Sequence, residues 1–402
     1  MRVLNISPFP TLPLDNGGKI RNYYLNRCLS RHHTINQFSL NLFLKDGKIP
    51  LHSWRNCFNA NYTEYNYSRL HILFISFLLH KLNISPYAIS SQILAFSRIH
   101  KRLGKNWDVV QIEEPWLFDW VRQRFEHPYI ASAHNVEYLL VSDKNNFQYK
   151  SIFRDKIIEK TYRIEKRYLE ESDLIFSCCD YDTKKMQEIY DIDTAKIRLI
   201  PNGIDATVIT PSSDSERERL KEKFGFRGKK IVLYSSGLHA PNVEAMKFIF
   251  QVAGKMKRKD TIFVIAGSIG GGYLNRGNLV FTGRLQHEDI LTYFRMADVA
   301  LNPVRYGSGT DIKLFEYLGA GIPTIATKFG ARGLYYTHKR DIIIAEELED
   351  YIFWIEKILD DDKINMRLRK NARKCVIGKF DYETIAKKVS KCYEEIKRGG
   401  FN

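Results

Sequence analysis

Along the 402 residues, short runs of aliphatic and β-branched side chains alternate with stretches whose apolar positions recur every three or four residues. The runs in the first half are Val3–Ser7, Thr34–Leu40, Val109–Glu113, Tyr129–His134, Leu174–Cys178 and Ile197–Pro201. Those in the second half are Ile231–Ser235, Thr261–Ala266, Leu279–Thr282, Val299–Asn302, Thr324–Ala326 and Ile342–Ala345. Each is short and apolar on both faces, the pattern of a buried parallel strand. Helical spacing falls between them, as in Val243–Met256, Glu288–Ala297 and Ile312–Gly319. Two successive strand–helix series predict an α/β protein with two doubly wound, Rossmann-like parallel-sheet domains. The polar segment 210–229 parts the series and argues against a single closed barrel. The expected domains are 1–205 and 206–381.

Composition narrows the class. Apolar and charged fractions of 44% and 27% are ordinary for a globular chain. Six cysteines without a Cys-x-x-Cys pair argue against a disulfide framework or structural zinc and favour a reducing compartment. MRVLNISPFP enters a strand pattern directly, without a signal-peptide core, so a cytoplasmic location is expected. The net charge of +16 is uneven: residues 1–105 hold 14 Lys/Arg against Asp15, Asp46 and Glu64. Such a face suits an anionic partner, whether nucleic acid, an acidic membrane or a phosphorylated substrate, or else is simply solvated. HILFISFLL at 71–79 is about half the length of a membrane span. Its pattern favours a buried element of the first domain over an interfacial helix.

Open α/β sheets bind ligands at the carboxyl ends of their strands, so the loops leaving each strand are the places for chemistry. After Val3–Ser7, Gly17-Gly18 lets a backbone approach a ligand where a helix begins, with Lys19 and Arg21 adding charge. After Tyr129–His134, the segment SAHNVE puts His134 at a strand end, where it could hydrogen-bond a ligand. The loop GSIGGGYLNRG lacks the G-x-G-x-x-G that opens a helix in a dinucleotide site, and nicotinamide binding is rejected. Gly283 and Arg284 leave another strand, and Arg284 suits a planar base. In YGSGTDIKLFEYLGAG, Gly307, Ser308 and Gly309 form a bare loop before a helix opening near Thr310–Ile312. Amides of Gly309, Thr310 and Asp311 there would hold an anion, unless Asp311 serves merely as the helix cap. Lys313 lies one turn in, and Glu316 is a carboxylate in an otherwise apolar helix. A buried acid requires donors, and paired sugar hydroxyls would supply them. Phosphate above and a diol below describe a nucleoside diphosphate. No Gly-Lys-Ser/Thr follows the glycines, so this is not a Walker loop.

With these residues assembled, the chain resembles the retaining GT-B glycosyltransferases of the GT4 type (group 1 glycosyl transferases). The donor half is carried by FTGRL, YFRMADVALNPV and GSGTDIKLFEYLGAGIPTIAT, preceded by IPNGID at 200–205 and SSGLHAPNVEA at 235–245. Gly17-Gly18 and His134 match that family's first-domain loops. The resemblance implies two domains facing across a cleft, with the C-terminal helix 382–402 packing back on the first. It implies that Glu316 binds ribose hydroxyls, that the amides of Gly309–Asp311 bind diphosphate, and that Gly283-Arg284 lies near the base. His134 would sit beside the transferred sugar. Two departures stand out. Ser308 occupies the place of the first of two glutamates eight apart. The loop after the first donor strand offers Ser236, Gly237, His239 and Asn242 in place of arginine and lysine. Lys313 is then the natural phosphate cation, helped by Lys19 or Arg21.

The implied activity is metal-independent, retaining hexosyl transfer, without cofactor, from a UDP- or GDP-linked sugar. The acceptor would be a glycan, glycolipid or polyprenyl-linked glycan of cell-surface polysaccharide or glycoconjugate synthesis. The basic first domain would meet an anionic inner membrane face as a peripheral protein. A sugar-nucleotide epimerase or sugar phosphorylase on the same architecture is the alternative. A nucleic-acid-binding protein is a weaker one, because aromatics interleave the basic region (Tyr62, Tyr65, Tyr67) but no RNA-binding motif appears, and nucleic acid is not expected as a partner.

Overall fold

All twelve apolar runs form strands in the computed structural model, which describes residues 1–42, 53–81, 86–95, 97–126, 128–143 and 153–398. The chain divides into two units: Met1–Pro13 with Gly18–Pro201 and Ile385–Asn402, and Leu14–Gly17 with Asn202–Thr384.

The first unit is built on eight strands: β1 (Arg2–Ser7), β2 (Thr34–Leu40), β3 (Trp54–Asn59), β4 (Tyr62–Tyr67), β5 (Val109–Glu113), β6 (Tyr129–Ala133), β7 (Leu174–Ser177) and β8 (Ile197–Leu199). Their order is β3-β4-β2-β1-β5-β6-β7-β8. All neighbours are parallel except β3 and β4, which are antiparallel. The β3–β4 hairpin is an addition to the sequence expectation. β3 alternates half-buried and exposed positions, and its inward residues include Asn56, so it lacks the apolar run by which buried strands are read. Between β1 and its neighbours the register is fixed by buried aliphatics, Val3 lying opposite Ile35 and Val109.

Glu64 is fully buried, and its carboxylate accepts from the Thr11 amide at 2.8 Å, Gln37 at 3.1 Å, Ser39 at 2.7 Å, Asn56 at 2.8 Å and Asn66 at 3.1 Å. Arg21, expected to help with phosphate, is instead buried and donates to the carbonyls of Pro201 and Ile200 at 2.7 and 2.8 Å. The C-terminal helix Tyr382–Lys397 contributes Tyr393, whose hydroxyl donates to Gln111 at 2.6 Å, and Ser390, 2.9 Å from His33.

The segment 71–79 corrects a second expectation. It lies in a helix, Leu70–Lys81, that buries only one side, through Ile72, Leu73 and Ser76. Leu70, Phe74, Phe77 and Leu78 recur at helical spacing on the other side and are 59%, 60%, 51% and 45% exposed. Arg69, His71 and Lys81 are exposed beside them.

The second unit carries β9 (Lys230–Ser235), β10 (Thr261–Ala266), β11 (Leu279–Gly283), β12 (Val299–Asn302), β13 (Thr324–Ala326) and β14 (Ile343–Ile344), in the order β11-β10-β9-β12-β13-β14. Every pair is parallel. The order reverses between β9 and β12, which makes the loops at their carboxyl ends the natural ligand crevice of this sheet. The glycine-rich loop after β10 makes one 3-10 turn, Ser268–Gly270, and opens no helix. Gly267 there has φ 101°, and a Cβ on it would lie 2.5 Å from the Ser236 carbonyl oxygen, so only glycine fits.

Candidate active site

The loop 303–311 leaves β12 and turns at Gly307 (φ 127°) and Gly309 (φ 69°), conformations open to glycine, before the helix Ile312–Gly319 begins. Three side chains fix its shape. Arg332 donates through Nε to the Gly309 carbonyl at 2.6 Å and through Nη2 to the Ser308 carbonyl at 2.9 Å. Asn202 donates to Thr310 Oγ1 at 2.8 Å. Asn302 donates to Asp311 Oδ2 at 3.0 Å, with Arg332 Nη1 3.6 Å from the same oxygen. Asp311 stands at the cap position but makes no side-chain cap bond. Its carboxylate is spent on Asn302 and Arg332, which sets aside the alternative that Asp311 serves merely as the helix cap.

At the second residue of that helix, the Lys313 ammonium donates to Asn242 Oδ1 at 3.0 Å, Ser236 Oγ at 3.3 Å and Tyr234 Oη at 3.4 Å. It also lies 4.6 Å from the centroid of the Tyr234 ring. The residues that depart from the usual pattern, Ser236 and Asn242, are thus gathered on the cation expected to replace arginine. Asn242 Nδ2 in turn donates to the Gly237 carbonyl at 3.3 Å. His239 is exposed at the start of the helix Ala240–Lys255. Burial, aided by the charge of Arg332 and opposed by Asp311, pushes Lys313 down to about 8. An anion beside it would raise it again.

Glu316 is 5% exposed, and its Oε1 has no hydrogen-bond partner among the described residues. Burial pushes the carboxyl above its ordinary range, against the opposing charge of His287, whose Nε2 is 4.0 Å away. The contrast with Glu64, equally buried and supplied with five donors, separates a structural carboxylate from one that lacks donors.

At the end of β11, Gly283 has φ 65°, and the Arg284 guanidinium is engaged by Asp15 Oδ2 at 2.7 Å. Asp15 belongs to the stretch Leu14–Gly17 that clusters with the second unit. A Cβ on Gly17 would lie 3.2 Å from Ile312 Cδ1. Gly18 belongs to the first unit, in the helix Gly17–Leu29.

In the first unit, His134 is buried just past β6, beside two acids at the end of β5 that the sequence reading did not single out. Glu113 Oε2 lies 2.7 Å from His134 Nε2, and Glu114 Oε1 lies 3.6 Å from Nδ1. Burial alone would raise Glu113, but the hydrogen bond and charge of His134, with Gln111, hold it below the usual carboxylate range. Glu114 is the reverse: burial first, then the charge of Glu113, pushes it up to about 7. Its backbone is left-handed, with φ 61°, a conformation rare outside glycine. Burial likewise raises Glu137 and Glu165 to about 8. Glu165 accepts from the amides of Glu137 and Tyr138 at 2.7 and 2.8 Å and from the Tyr190 hydroxyl at 2.5 Å.

Glu113, Glu114, Asn202, His287 and Arg332 escaped sequence reasoning. The two glutamates had a local signal, adjacent acids closing an apolar strand before Pro115, and Asn202 lies in the IPNGID segment without having been singled out. Among the described residues, no group of three or more His, Cys, Asp and Glu side chains is placed to hold a metal ion.

Comparison with known proteins identifies a sugar-transferring enzyme of the GT-B fold. A family model described as glycosyl transferases group 1 matches residues 229–361, and one described as glycosyltransferase family 4 matches 64–208. The chain belongs to this GT4-type, group 1 glycosyltransferase family. Among curated relatives, the D-inositol 3-phosphate glycosyltransferase of Corynebacterium jeikeium is 24% identical over 337 residues, covering 78% of this chain and 77% of that protein. The UDP-Gal:alpha-D-GlcNAc-diphosphoundecaprenol alpha-1,3-galactosyltransferase of Escherichia coli is 23% identical, covering 63% of this chain and 67% of its own. Sucrose-phosphate synthase from Thermosynechococcus elongatus superposes with a TM-score of 0.74 at 16% identity, over 99% of this chain and 100% of that one. Anabaena HepE in complex with UDP-glucose gives 0.67 at 12% identity, over 98% and 100%.

Proposed function

We propose that this glycosyltransferase moves a hexose from a UDP- or GDP-linked donor, with retention at the anomeric carbon and without a metal, to a glycan, glycolipid or polyprenyl-linked acceptor in cell-surface glycoconjugate synthesis. The observation that carries the donor reading is Glu316, a buried carboxylate whose Oε1 has no donor among the described residues, three residues from the partly buried Lys313 cation. A ribose diol would supply two O–H donors to the carboxylate, while a diphosphate would take Lys313 and the amides of Gly309–Asp311. The UDP-glucose complex of a structure with the same fold supports the donor class. The acceptor class leans on the E. coli relative, named for a diphosphoundecaprenol-linked substrate.

Retention would follow from front-face attack. The acceptor oxygen bonds to the anomeric carbon as the carbon–phosphate oxygen bond breaks, and the acceptor proton passes to the departing diphosphate. His134 would hydrogen-bond the transferred sugar and support its oxocarbenium-like state. Catalysis rests on positioning and on stabilising the leaving group. Proton NMR of the product formed from an α-linked UDP- or GDP-sugar tests both parts. An α-linked product is expected, whereas a β-linked product overturns retention, and failure of every nucleotide sugar to react overturns the donor reading.

The membrane partner draws on the exposed apolar stripe of the helix Leu70–Lys81 and the cations beside it. Among the described residues no helix is long and apolar enough to cross a membrane. A helix lying in the interface would seat Phe74 and Phe77 among acyl chains and Arg69 and Lys81 among acidic headgroups. Vesicles containing phosphatidylglycerol should float the protein at low salt and much less at high salt. The pair Phe74→Asp and Phe77→Asp should stay in solution. Equal flotation on neutral vesicles would remove the acidic headgroups from this reading, and no flotation on either kind would remove the membrane.

A further inference from the structure

The second unit has a cavity of about 960 Å³ between the helices Asp214–Lys223 and Asp362–Val376. Lys230, which opens β9, and Asp298, just before β12, lie in its wall. The cavity therefore sits at the amino ends of the strands, the opposite end of the sheet from the loops that carry Ser236 and Gly309. Its volume suits a small molecule.

Two arginines in that wall are short of partners. Arg217 is 7% exposed; its Nη1 donates to Asp214 at 2.8 Å, while Nε and Nη2 have no hydrogen-bond partner among the described residues. Arg369 donates through Nη2 to the Ser212 carbonyl at 3.3 Å, and its Nη1 has no partner among the described residues. Burial and the charge of Arg217 push Arg369 down to about 10, opposed by Asp214 and Asp298. Of the four acids in the wall, Asp298 and Glu218 each lie 2.9 Å from the buried Lys221 ammonium, Asp214 accepts from Arg217, and the exposed Asp362 opens the second helix. Lys230, Lys370 and Lys374 add further positive charge. Like charges held together with unmet donors are unfavourable, and guanidinium groups take phosphate oxygens in pairs.

We propose that this cavity is a second ligand site, in which Arg217 and Arg369 together hold the phosphate group of a small soluble molecule, apart from the donor loops. Nothing in this assignment depends on what the donor loops bind.

Inorganic phosphate and pyrophosphate are the probes, added to the full chain with and without saturating UDP and matched to sodium chloride at equal ionic strength. At ten times its Kd, either anion should raise Tm by about 2–4 °C. The gain should persist with UDP present and in Lys313→Gln, and vanish in the double variant Arg217→Gln with Arg369→Gln. Far-UV circular dichroism checks that this variant folds. If it does not, Arg369→Lys is measured instead and should weaken binding at least tenfold, because the charge stays but the fork is lost. Absence of any gain, or a gain lost in Lys313→Gln and kept in the arginine variants, overturns the proposal. Loss of flotation on phosphatidylglycerol vesicles in the arginine variants, without an effect of free phosphate, would overturn the assignment to a soluble molecule.

Discussion

Glu316→Leu is expected to stabilise the protein while lowering kcat/KM for sugar transfer by two orders of magnitude or more, and the two halves of that result come from the same geometry. In the free protein the carboxyl is buried, its Oε1 lacks a donor and its ionised form is disfavoured. Replacing a buried polar group that lacks partners by an apolar one of similar size is neutral or favourable. With a nucleotide bound, the loss is of hydrogen bonds to a charged group, about 1.5–3 kcal/mol each. Two such bonds correspond to roughly 10² to 10⁴ in affinity. Glu316→Gln, which keeps the shape, separates charge from volume and should fall between. Thermal unfolding and steady-state kinetics on the same preparations read both halves. A variant that is less stable yet binds UDP normally would make Glu316 a structural residue. The sign with pH follows: the folded carboxyl titrates above its unfolded value, so it contributes stability at low pH that is lost as pH rises through the raised value. Glu316→Gln should lack that component.

The second large effect is expected at Glu113. Its ionised carboxylate receives Asn5 at 2.7 Å and Gln111 at 2.6 Å on one oxygen and faces His134 Nε2 at 2.7 Å with the other. That arrangement puts a proton on Nε2 and fixes the ring. Glu113→Gln should lower kcat by about 10- to 100-fold with little change in the donor KM, since orientation and charge are lost but not bulk. Glu113→Asp should recover part of it. An effect confined to stability, with kcat intact, would reduce Glu113 to a packing role. Around this pair, Glu114 at about 7 and Glu137 and Glu165 at about 8 are all raised by burial. Tyr168 and Tyr393 are buried beside them and titrate far above this window. Because the folded state holds these protons more tightly than the unfolded chain, stability is fully present below about pH 4.5 as far as this cluster is concerned, and is lost as pH rises toward 8. Urea midpoints at pH 5.5 and 8.5 should differ in that direction, and Glu114→Gln should narrow the gap. A midpoint that rises with pH through this window, unchanged in Glu114→Gln, would contradict the assignment.

Strands buried on both faces announced themselves because short runs dominated by aliphatic and β-branched side chains fit there, which is why the twelve runs were legible. The β3–β4 hairpin was not, because its inward positions include Asn56 and Glu64 and its stability comes from partners such as Gln37 and Ser39 on another strand. The helix Leu70–Lys81 misled for a related reason: an apolar sequence does not say which side meets the sheet. The site followed the same rule. Glu316 stood out as an acid in an apolar helix, and Lys313 as its neighbour. Arg332 stood among ordinary loop residues, and its purpose appeared only when folding brought it to carbonyls 23 and 24 residues away. Arg21 read as a ligand cation because charge is visible in a sequence and the carbonyls that consume it are not.

That arginine-held loop has a thermodynamic consequence. With the carbonyls of Ser308 and Gly309 already bonded to Arg332, and Asp311 to Asn302, the segment's conformational entropy is surrendered during folding, before any ligand arrives. Nucleotide association should then show the modest heat-capacity change of contact with a formed surface, without the larger signature of a segment that orders on binding.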